Sequence, residues 1–339
     1  MTVSRRDLFF GAGAAGQTVT VARRQFLAGG VATALPLPAV AQPAPKTRTY
    51  KTVGSLDIKA DIWHGAGAGP RPVILYIHGG GLMMASRRGM PPRWELERFT
   101  AAGYTVVSID YRLAPATRLP DIVEDVADAW AWLHSQTRDL NIDPARIAVM
   151  GMSAGAYLAL LTGYRLNPRP RAVVSFYGYG DITDAWCTQP SPFYSSKPAV
   201  TETDAFKALQ TEIVAEPAGE SARIRTELYT YARQRGVWPK LVSGHDPVTE
   251  PAWFSPYEPI RHITPNYPPT MLLQGEKDTD VPFEQAKALA QALSRNKVIH
   301  QLVSDPDWDH AFDYRANDKD PKVAAAFGLL LAFLAEQLR

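Results

Sequence analysis

A serine flanked by small residues stands at a predicted junction between a strand and a helix. The segment Gly151-Met152-Ser153-Ala154-Gly155 follows the apolar run Ile147–Met150 and precedes a predicted helix over Ala154–Arg165. Such a turn has room only for very small neighbours, and it lifts the serine hydroxyl above the sheet with a helix N-terminus behind it. We therefore predict that Ser153 is a nucleophile.

A run of glycines follows another apolar segment, where Val73–Ile77 leads into His78-Gly79-Gly80-Gly81. Glycines let the backbone come close to a reacting group and direct its N–H groups at the negative oxygen that forms during acyl transfer. We predict an oxyanion hole built from the N–H groups of Gly79, Gly80 and Ala154. His78 is interpreted as a brace of this loop rather than as a base.

A serine nucleophile needs a general base, and the base needs a carboxylate that orients it. The usual chain order with this type of turn is serine, then acid, then histidine. His310 lies on a loop between the last predicted strand and the last predicted helix, and is the predicted base. His245 and His262 come before the preceding strand, and His300 lies within a predicted strand, so the order excludes them.

Two aspartates are candidates for the orienting carboxylate. Both follow the predicted strand Met271–Gln274, in the turn formed by residues 275–282. Asp278 is the predicted acid and Asp280 is the alternative. The expected catalytic set is therefore Ser153, Asp278 and His310.

Other reactive residue types are sparse. Asp305, Asp307 and Asp309 stand close together, but a hard cation needs more oxygen ligands than this short run supplies, so we predict no metal and no other cofactor. Cys187 is the one cysteine of the chain. No basic residue flanks it, which is typical of a structural thiol.

The order of predicted elements indicates what positions these residues. Strand-length apolar runs such as Thr105–Ile109 alternate with segments of helical periodicity such as Ile122–Leu133. This alternation predicts an α/β fold in which a mostly parallel sheet is covered by helices on both faces. A linker at 42–48 is expected to lead into a hairpin of Tyr50–Val53 and Leu56–Trp63. The last strand is predicted at Val298–Val303.

Residues 186–258 interrupt this alternation, with eight prolines and ten aromatic residues and no clear strand. A structureless loop of that length is improbable in a compact domain, so we predict a largely helical cap. It lies between the predicted strands Ala172–Phe176 and Thr270–Gln274, whose ends share one edge of the sheet, and should therefore cover Ser153. Its tryptophans are expected to pack within the cap, with one or two at the substrate pocket: Trp186, Trp238 and Trp253.

The N-terminus carries two arginine pairs, Arg5-Arg6 and Arg23-Arg24, each followed by a weakly apolar run rich in glycine and alanine. Both resemble the twin-arginine export signal of bacteria. The second run ends in Ala39-Val40-Ala41, an A-x-A cleavage site. We expect residues 1–41 to be an export signal, 42–339 to be the catalytic domain, and the protein to be periplasmic or secreted after contact with the twin-arginine machinery.

The composition excludes several other classes of protein. The 36 Lys and Arg residues nearly balance the 34 Asp and Glu residues, and no basic stripe is present, so a nucleic-acid partner is not expected. Residues 1–41 hold four arginines and one aspartate, so the positive balance belongs to the predicted signal. No apolar run of about 18 residues occurs beyond it, which argues against stable membrane insertion.

Together these motifs resemble the α/β-hydrolase superfamily and, within it, bacterial carboxylesterases similar to the hormone-sensitive lipase family and its feruloyl-esterase-like relatives. The resemblance also rests on Asp110-Tyr111-Arg112-Leu113-Ala114-Pro115, on the acid turn at 275–282 and on Asp309-His310-Ala311-Phe312. It implies the α/β-hydrolase fold and the hydrolysis of a small-molecule ester through an acyl-enzyme.

The sequence does not decide which type of substrate bond is cleaved. An amide or peptide hydrolase of the exopeptidase or formamidase type would use the same three residues. A binding module without catalysis is disfavoured, because such a copy usually loses at least one of them.

Overall fold

The computed structural model describes residues 17–20, 44–207 and 213–339. Nine strands form one sheet, and they are β1 Gln17–Thr20, β2 Lys46–Val53, β3 Leu56–Trp63, β4 Arg71–Ile77, β5 Thr105–Ile109, β6 Ile142–Met152, β7 Ala172–Phe176, β8 Thr270–Gly275 and β9 His300–Asp305.

From β4 onward the α-helices alternate with the strands, except in one long stretch between β7 and β8. They are α1 Arg93–Ala101, α2 Leu119–Ser135, α3 Ala154–Arg165, α4 Ala185–Thr188, α5 Pro192–Ser195, α6 Glu202–Phe206, α7 Gly219–Arg235, α8 Trp238–Ser243, α9 Pro251–Phe254, α10 Phe283–Arg295, α11 Phe312–Ala316 and α12 Pro321–Gln337. None of the described helices is both long and apolar enough to cross a bilayer.

The strand order across the sheet is β1-β9-β8-β7-β6-β4-β5-β3-β2. The hairpin strands β2 and β3 pair antiparallel, as do β3 and β5. Every other neighbouring pair is parallel, so the carboxyl ends of β4, β6, β8 and β9 meet at one edge. This edge receives the loops that carry the predicted site residues.

Both faces of the sheet are buried, which explains why its central strands are continuously apolar. Along β4, the side chains of Val73, Leu75 and Ile77 join the core beneath α2, α3 and α10. Ile74 and Tyr76 join the opposite core, beneath α1 and α12. The predicted fold class, with a mostly parallel sheet covered on both faces, is confirmed.

The stretch between β7 and β8 contains α4 to α9 and two short 3-10 turns, and its described residues include no strand. Its helix starts carry the expected local signals. The side chain of Asp184 accepts a hydrogen bond from the backbone N–H of Ala185, and Ser191 caps α5 ahead of Pro192. These helices and turns occupy the segment 186–258 predicted to be the cap, with overhangs of a few residues at each end, and we keep the name cap for 186–258.

Two predicted boundaries are wrong. The linker expected at 42–48 ends early, because β2 begins at Lys46. The first four residues of β2 are exposed at the sheet edge, so their sequence shows no apolar run. The last strand is His300–Asp305 rather than Val298–Val303, because Val298 belongs to a turn in which its N–H bonds to the carbonyl of Leu293 at 3.0 Å. The predicted export signal lies outside the described residues, apart from β1.

Candidate active site

Ser153 occupies the single residue between β6 and α3. Its backbone has φ +51° and ψ −121°, a conformation that costs energy for a residue with a side chain. A Cβ atom at Gly155 would lie 2.1 Å from the carbonyl oxygen of Ile77, and one at Gly151 would lie 2.3 Å from Gly155. Both positions therefore require glycine, and the serine hydroxyl is held at the carboxyl edge of the sheet, as the motif predicts.

Two loops bring a histidine and an aspartate to this serine. The Nε2 atom of His310 lies 3.1 Å from Ser153 Oγ, and Nδ1 lies 2.8 Å from Oδ2 of Asp278. Asp278 follows β8 and His310 follows β9, so neighbouring strands of the sheet set their separation. The structure thus brings Ser153, His310 and Asp278 into one hydrogen-bonded chain in the predicted order.

The carboxylate of Asp278 is fully buried and well satisfied. Its Oδ1 accepts the backbone N–H groups of Asp280 at 2.9 Å and Val281 at 2.8 Å, and its Oδ2 accepts the side-chain amide of Gln274 at 2.8 Å. These bonds hold the carboxylate in a fixed orientation toward His310. No sequence motif marks Gln274, because a glutamine at the end of a strand belongs to no recognisable pattern.

The charge state of His310 is set by opposing effects. Burial lowers its pKa, but the hydrogen bond to Asp278 and the charges of Asp278 and Asp280 more than offset this, so the pKa lies above its ordinary value. A histidine with a raised pKa is a stronger proton acceptor. It can take the proton of a serine hydroxyl and keep it while a charged intermediate exists.

Asp280, the alternative acid, has different partners. Its side chain lies toward the cap and accepts hydrogen bonds from the hydroxyls of Tyr194 and Tyr229, at 3.0 Å each. Its Oδ2 is 3.9 Å from Nε2 of His310, beyond hydrogen-bond distance. Of the two aspartates, Asp278 is therefore the one placed to orient the imidazole through Nδ1.

The glycine loop after β4 lies directly against the serine. A Cβ atom at Gly79 would be 3.3 Å from the Cβ of Ser153, and Gly80 has φ +100°, which a side chain rarely adopts. The N–H of Ala154 belongs to the first residue of α3 and has no partner within that helix. The backbone at Gly79 thus lies against Ser153, Ala154 directly follows this serine in the chain, and Gly80 is the next residue of the same loop.

His78 is built into the support of this loop. Its side chain is fully buried, stacks on Tyr111 at 4.2 Å between ring centroids, and donates from Nδ1 to the carbonyl of Gly79 at 2.8 Å. Burial lowers its pKa to about 4, which keeps the ring neutral. The Tyr111 hydroxyl donates to the carbonyls of His78 and Gly79. Both rings hold the loop backbone in place.

The cap also holds the glycine loop. The indole N–H of Trp238 donates to the carbonyl of Gly81 at 2.8 Å, and a Cβ atom at Gly81 would lie 2.3 Å from the ring of Tyr229. Arg225 donates to the carbonyls of Met83 and Ala114. No sequence motif marks these cap residues, because their partners are more than 100 positions away.

The three cap tryptophans have separate surroundings. Trp238 is 2% exposed and packs edge-on against Tyr179, beside Trp186. Trp186 also lies beneath the guanidinium of Arg233. Trp253 stacks on His245 and Tyr257, within the packing of the cap itself.

The remaining candidates have structural partners. Lys322 bridges Asp305 and Asp307, at 2.8 and 2.9 Å. Within the described ranges, no cluster of three or more histidine, cysteine or acidic residues could hold a metal ion. Cys187 is buried, and burial raises the pKa of its thiol well above the ordinary value, so it is a poor nucleophile.

The BD-FAE family model matches residues 60–293. The non-reducing polyketide synthase Preu6 of Preussia isomera is 29% identical over 300 residues, which cover 79% of this chain and 14% of the synthase. Esterase LipC of Mycobacterium tuberculosis is 28% identical over 268 residues, 77% of this chain and 58% of LipC. The chain therefore spans only a small part of the synthase and just over half of LipC.

Among solved structures, an alpha/beta hydrolase superfamily protein from Enterococcus faecalis matches with a TM-score of 0.67 and 25% identity. The match covers 86% of this chain and 98% of that chain. The α/β-hydrolase fold implied by the motifs is confirmed.

Proposed function

The chain belongs to the BD-FAE family, and from this membership and the geometry around Ser153 we propose that it is a serine hydrolase of the carboxylesterase type. The observation that carries the proposal is the hydrogen-bonded chain from Ser153 through His310 to Asp278. The serine at the start of this chain is held in a strained turn beside a glycine loop. The name of the relative LipC favours an ester over an amide as substrate.

In the proposed reaction Ser153 Oγ attacks the ester carbonyl while His310 takes the hydroxyl proton at Nε2. Asp278 stabilises the resulting imidazolium through Nδ1 and remains ionised. The N–H groups of Gly79, Gly80 and Ala154 donate to the negative oxygen of the tetrahedral intermediate. His310 then gives its proton to the departing alcohol oxygen, which leaves an acyl group on Ser153.

Deacylation repeats these steps with water as the nucleophile. His310 takes a proton from the water, the new tetrahedral intermediate occupies the same oxyanion hole, and the proton returns to Ser153 as the carboxylic acid leaves. No cofactor is needed for this chemistry.

The test combines covalent labelling with turnover. A fluorophosphonate should label the purified protein at Ser153, as located by peptide mass spectrometry, and Ser153→Ala should lose both labelling and hydrolysis of p-nitrophenyl butyrate. Ser196→Ala, a change at an exposed cap serine, is the matched control and should keep both. More than a few per cent of activity in Ser153→Ala would refute the nucleophile assignment. Faster turnover of a matched p-nitroanilide than of the ester would instead favour an amidase.

We also propose export through the twin-arginine route, on the basis of the arginine pairs and the A-x-A site. Arg23→Lys with Arg24→Lys should block transport of the full-length protein into the periplasm, whereas Arg5→Lys with Arg6→Lys should matter less, since only the second pair precedes the cleavage site at a suitable distance. Mass spectrometry of the exported protein should find Gln42 at its N-terminus. A mature protein that still begins at Met1 would contradict the proposal.

A further inference from the structure

A second carboxylate lies beside His310, on the side opposite Asp278. Oδ2 of Asp280 is 3.9 Å from Nε2 of His310, whereas Asp278 bonds to Nδ1 at 2.8 Å. Asp280 is buried, and its backbone N–H donates to Oδ1 of Asp278 at 2.9 Å. The loop that carries the proposed acid thus also fixes a second negative charge near the catalytic face of the imidazole.

The cap determines where this second charge lies. The hydroxyl of Tyr194, on α5, donates to Oδ2, and the hydroxyl of Tyr229, on α7, donates to Oδ1. Arg233, also on α7, donates to the backbone carbonyl of Asp280 at 2.9 Å and stands 3.5 Å from Oδ1. Burial, and then the charge of Asp280, raises the pKa of both phenols, which keeps them protonated as donors.

The distance to His310 suits an electrostatic role. At 3.9 Å the carboxylate does not compete with Ser153 for the Nε2 atom, so the resting hydrogen bond to the serine is kept. When His310 becomes a cation, a negative charge about 4 Å away attracts it even at the high effective dielectric of a protein site. Asp280 therefore favours the charged state that forms only during the reaction.

We propose that Asp280 is a positioning residue of the hydrolase, through which the docked cap stabilises the protonated form of His310. This role rests on the proposed function, since it needs His310 to be the base. Asp280 does not touch the reacting atoms, and it acts through the charge that it places beside the ring.

Several charged or titratable groups face this site, and the test must separate Asp280 from them. They are Asp278 and Asp280 on the loop after β8, Asp309 on the histidine loop, Tyr177 after β7, and Tyr194, Tyr229 and Arg233 on the cap. A pH profile separates them when one charge is removed at a time.

The decisive variant is Asp280→Asn, in the full-length protein. The charges of Asp278 and Asp280 both raise the pKa of His310, so removal of the second charge lowers it. The acid limb of kcat/KM, which reports the base of the free enzyme, should move to lower pH by about 0.5 unit or more. Asp307→Asn makes the same charge change on the neighbouring loop, where the side chain pairs with Lys277 and Lys322, and should leave the limb within about 0.2 unit.

A second variant predicts a shift of the opposite sign. Arg233→Gln removes the cation nearest to Asp280, so the carboxylate acts on His310 uncompensated and the acid limb should move to higher pH. This measurement also carries the test if Asp280→Asn does not fold.

An unmoved limb in an active, folded Asp280→Asn overturns the proposal, as does a downward shift in Arg233→Gln. Neither result affects the assignment of Ser153 as the nucleophile of a hydrolase, which stands or falls with the labelling and turnover of Ser153→Ala. A loss of stability in Asp280→Asn with an unchanged pH profile would show that Asp280 only anchors the cap.

Discussion

Glu95→Gln tests a buried acid pair beneath the histidine loop. Glu95 on α1 and Asp313 on α11 are both almost completely buried, and Asp313 follows His310 by three residues. Burial, and then the charge of Asp313, raises the pKa of Glu95 well above its ordinary value. Tyr76 and Tyr177 are the other titratable groups around the pair. Glu95 therefore stays protonated to higher pH than an exposed glutamate, and a neutral glutamine amide can take the place of the neutral acid.

The sign and size of the effect follow from proton counts. In the unfolded chain Glu95 titrates near its ordinary pKa of 4.5, but in the folded protein it does so at higher pH. Between these two pKa values the folded state holds the extra proton, so the free energy of unfolding falls by about 1.4 kcal/mol per pH unit as the pH rises. The contribution is complete below the unfolded pKa and is lost as the pH passes the folded one.

A glutamine at position 95 does not titrate, so it removes this dependence of the unfolding free energy on pH. As the pH rises above 5 the variant should therefore gain unfolding free energy relative to wild type, at up to about 1.4 kcal/mol per pH unit, until the pH passes the folded-state pKa of Glu95. For a domain of this size each gain of about 1.4 kcal/mol corresponds to a relative rise of about 3 °C in Tm.

The assay is denaturant unfolding followed by circular dichroism at pH 5, 6 and 7, supported by calorimetry. Glu97→Gln is the control on the same helix, because Glu97 is partly exposed and paired with Arg93 at the surface, where a charge contributes little. If wild type and Glu95→Gln lost stability in parallel across this range, Glu95 would be ionised in the folded protein and the reasoning would be wrong.

Two further pairs of substitutions test the site and its support. Asp278→Asn should lower kcat by about 10³- to 10⁴-fold, because the imidazole loses the carboxylate that orients it, whereas Asp280→Asn should lower it less than about 10-fold; the opposite ranking would make Asp280 the acid. Trp238→Phe should cost about 1–3 kcal/mol of stability, because the carbonyl of Gly81 loses its donor, and Trp253→Phe should cost less in the same thermal unfolding assay.

The predictable part of the site is the part with local steric demands. The turn around Ser153 works only with glycine at 151 and 155, and the glycine loop works only with Gly80 in its positive φ. Such steric requirements restrict the residue types at positions close together in the chain, so the sequence shows them. Chain order then selected His310 from the later histidines, and the structure places Asp278 rather than Asp280 against its Nδ1 atom.

The parts that were not predicted depend on partners far apart in sequence. Arg87 is buried and pairs with Asp61, Asp110 and Glu216, so one guanidinium joins the sheet to the segment before α7. The pair of Glu95 with Asp313 likewise joins two distant helices. Apart from Asp110, which belongs to the motif at 110–115, each of these residues looks like an ordinary surface charge in the sequence, because the pairing that makes its burial possible exists only after folding.

Tyr229 links the two loops on which the proposed chemistry depends. Its ring packs against Gly81 in the glycine loop, and its hydroxyl bonds to Asp280 in the acid loop. Trp238 adds a second contact to the first loop, and Arg233 adds one to the second. The cap is therefore part of the support of the catalytic groups. A change of cap sequence that alters substrate choice should also alter kcat, unless these contacts to both loops are kept.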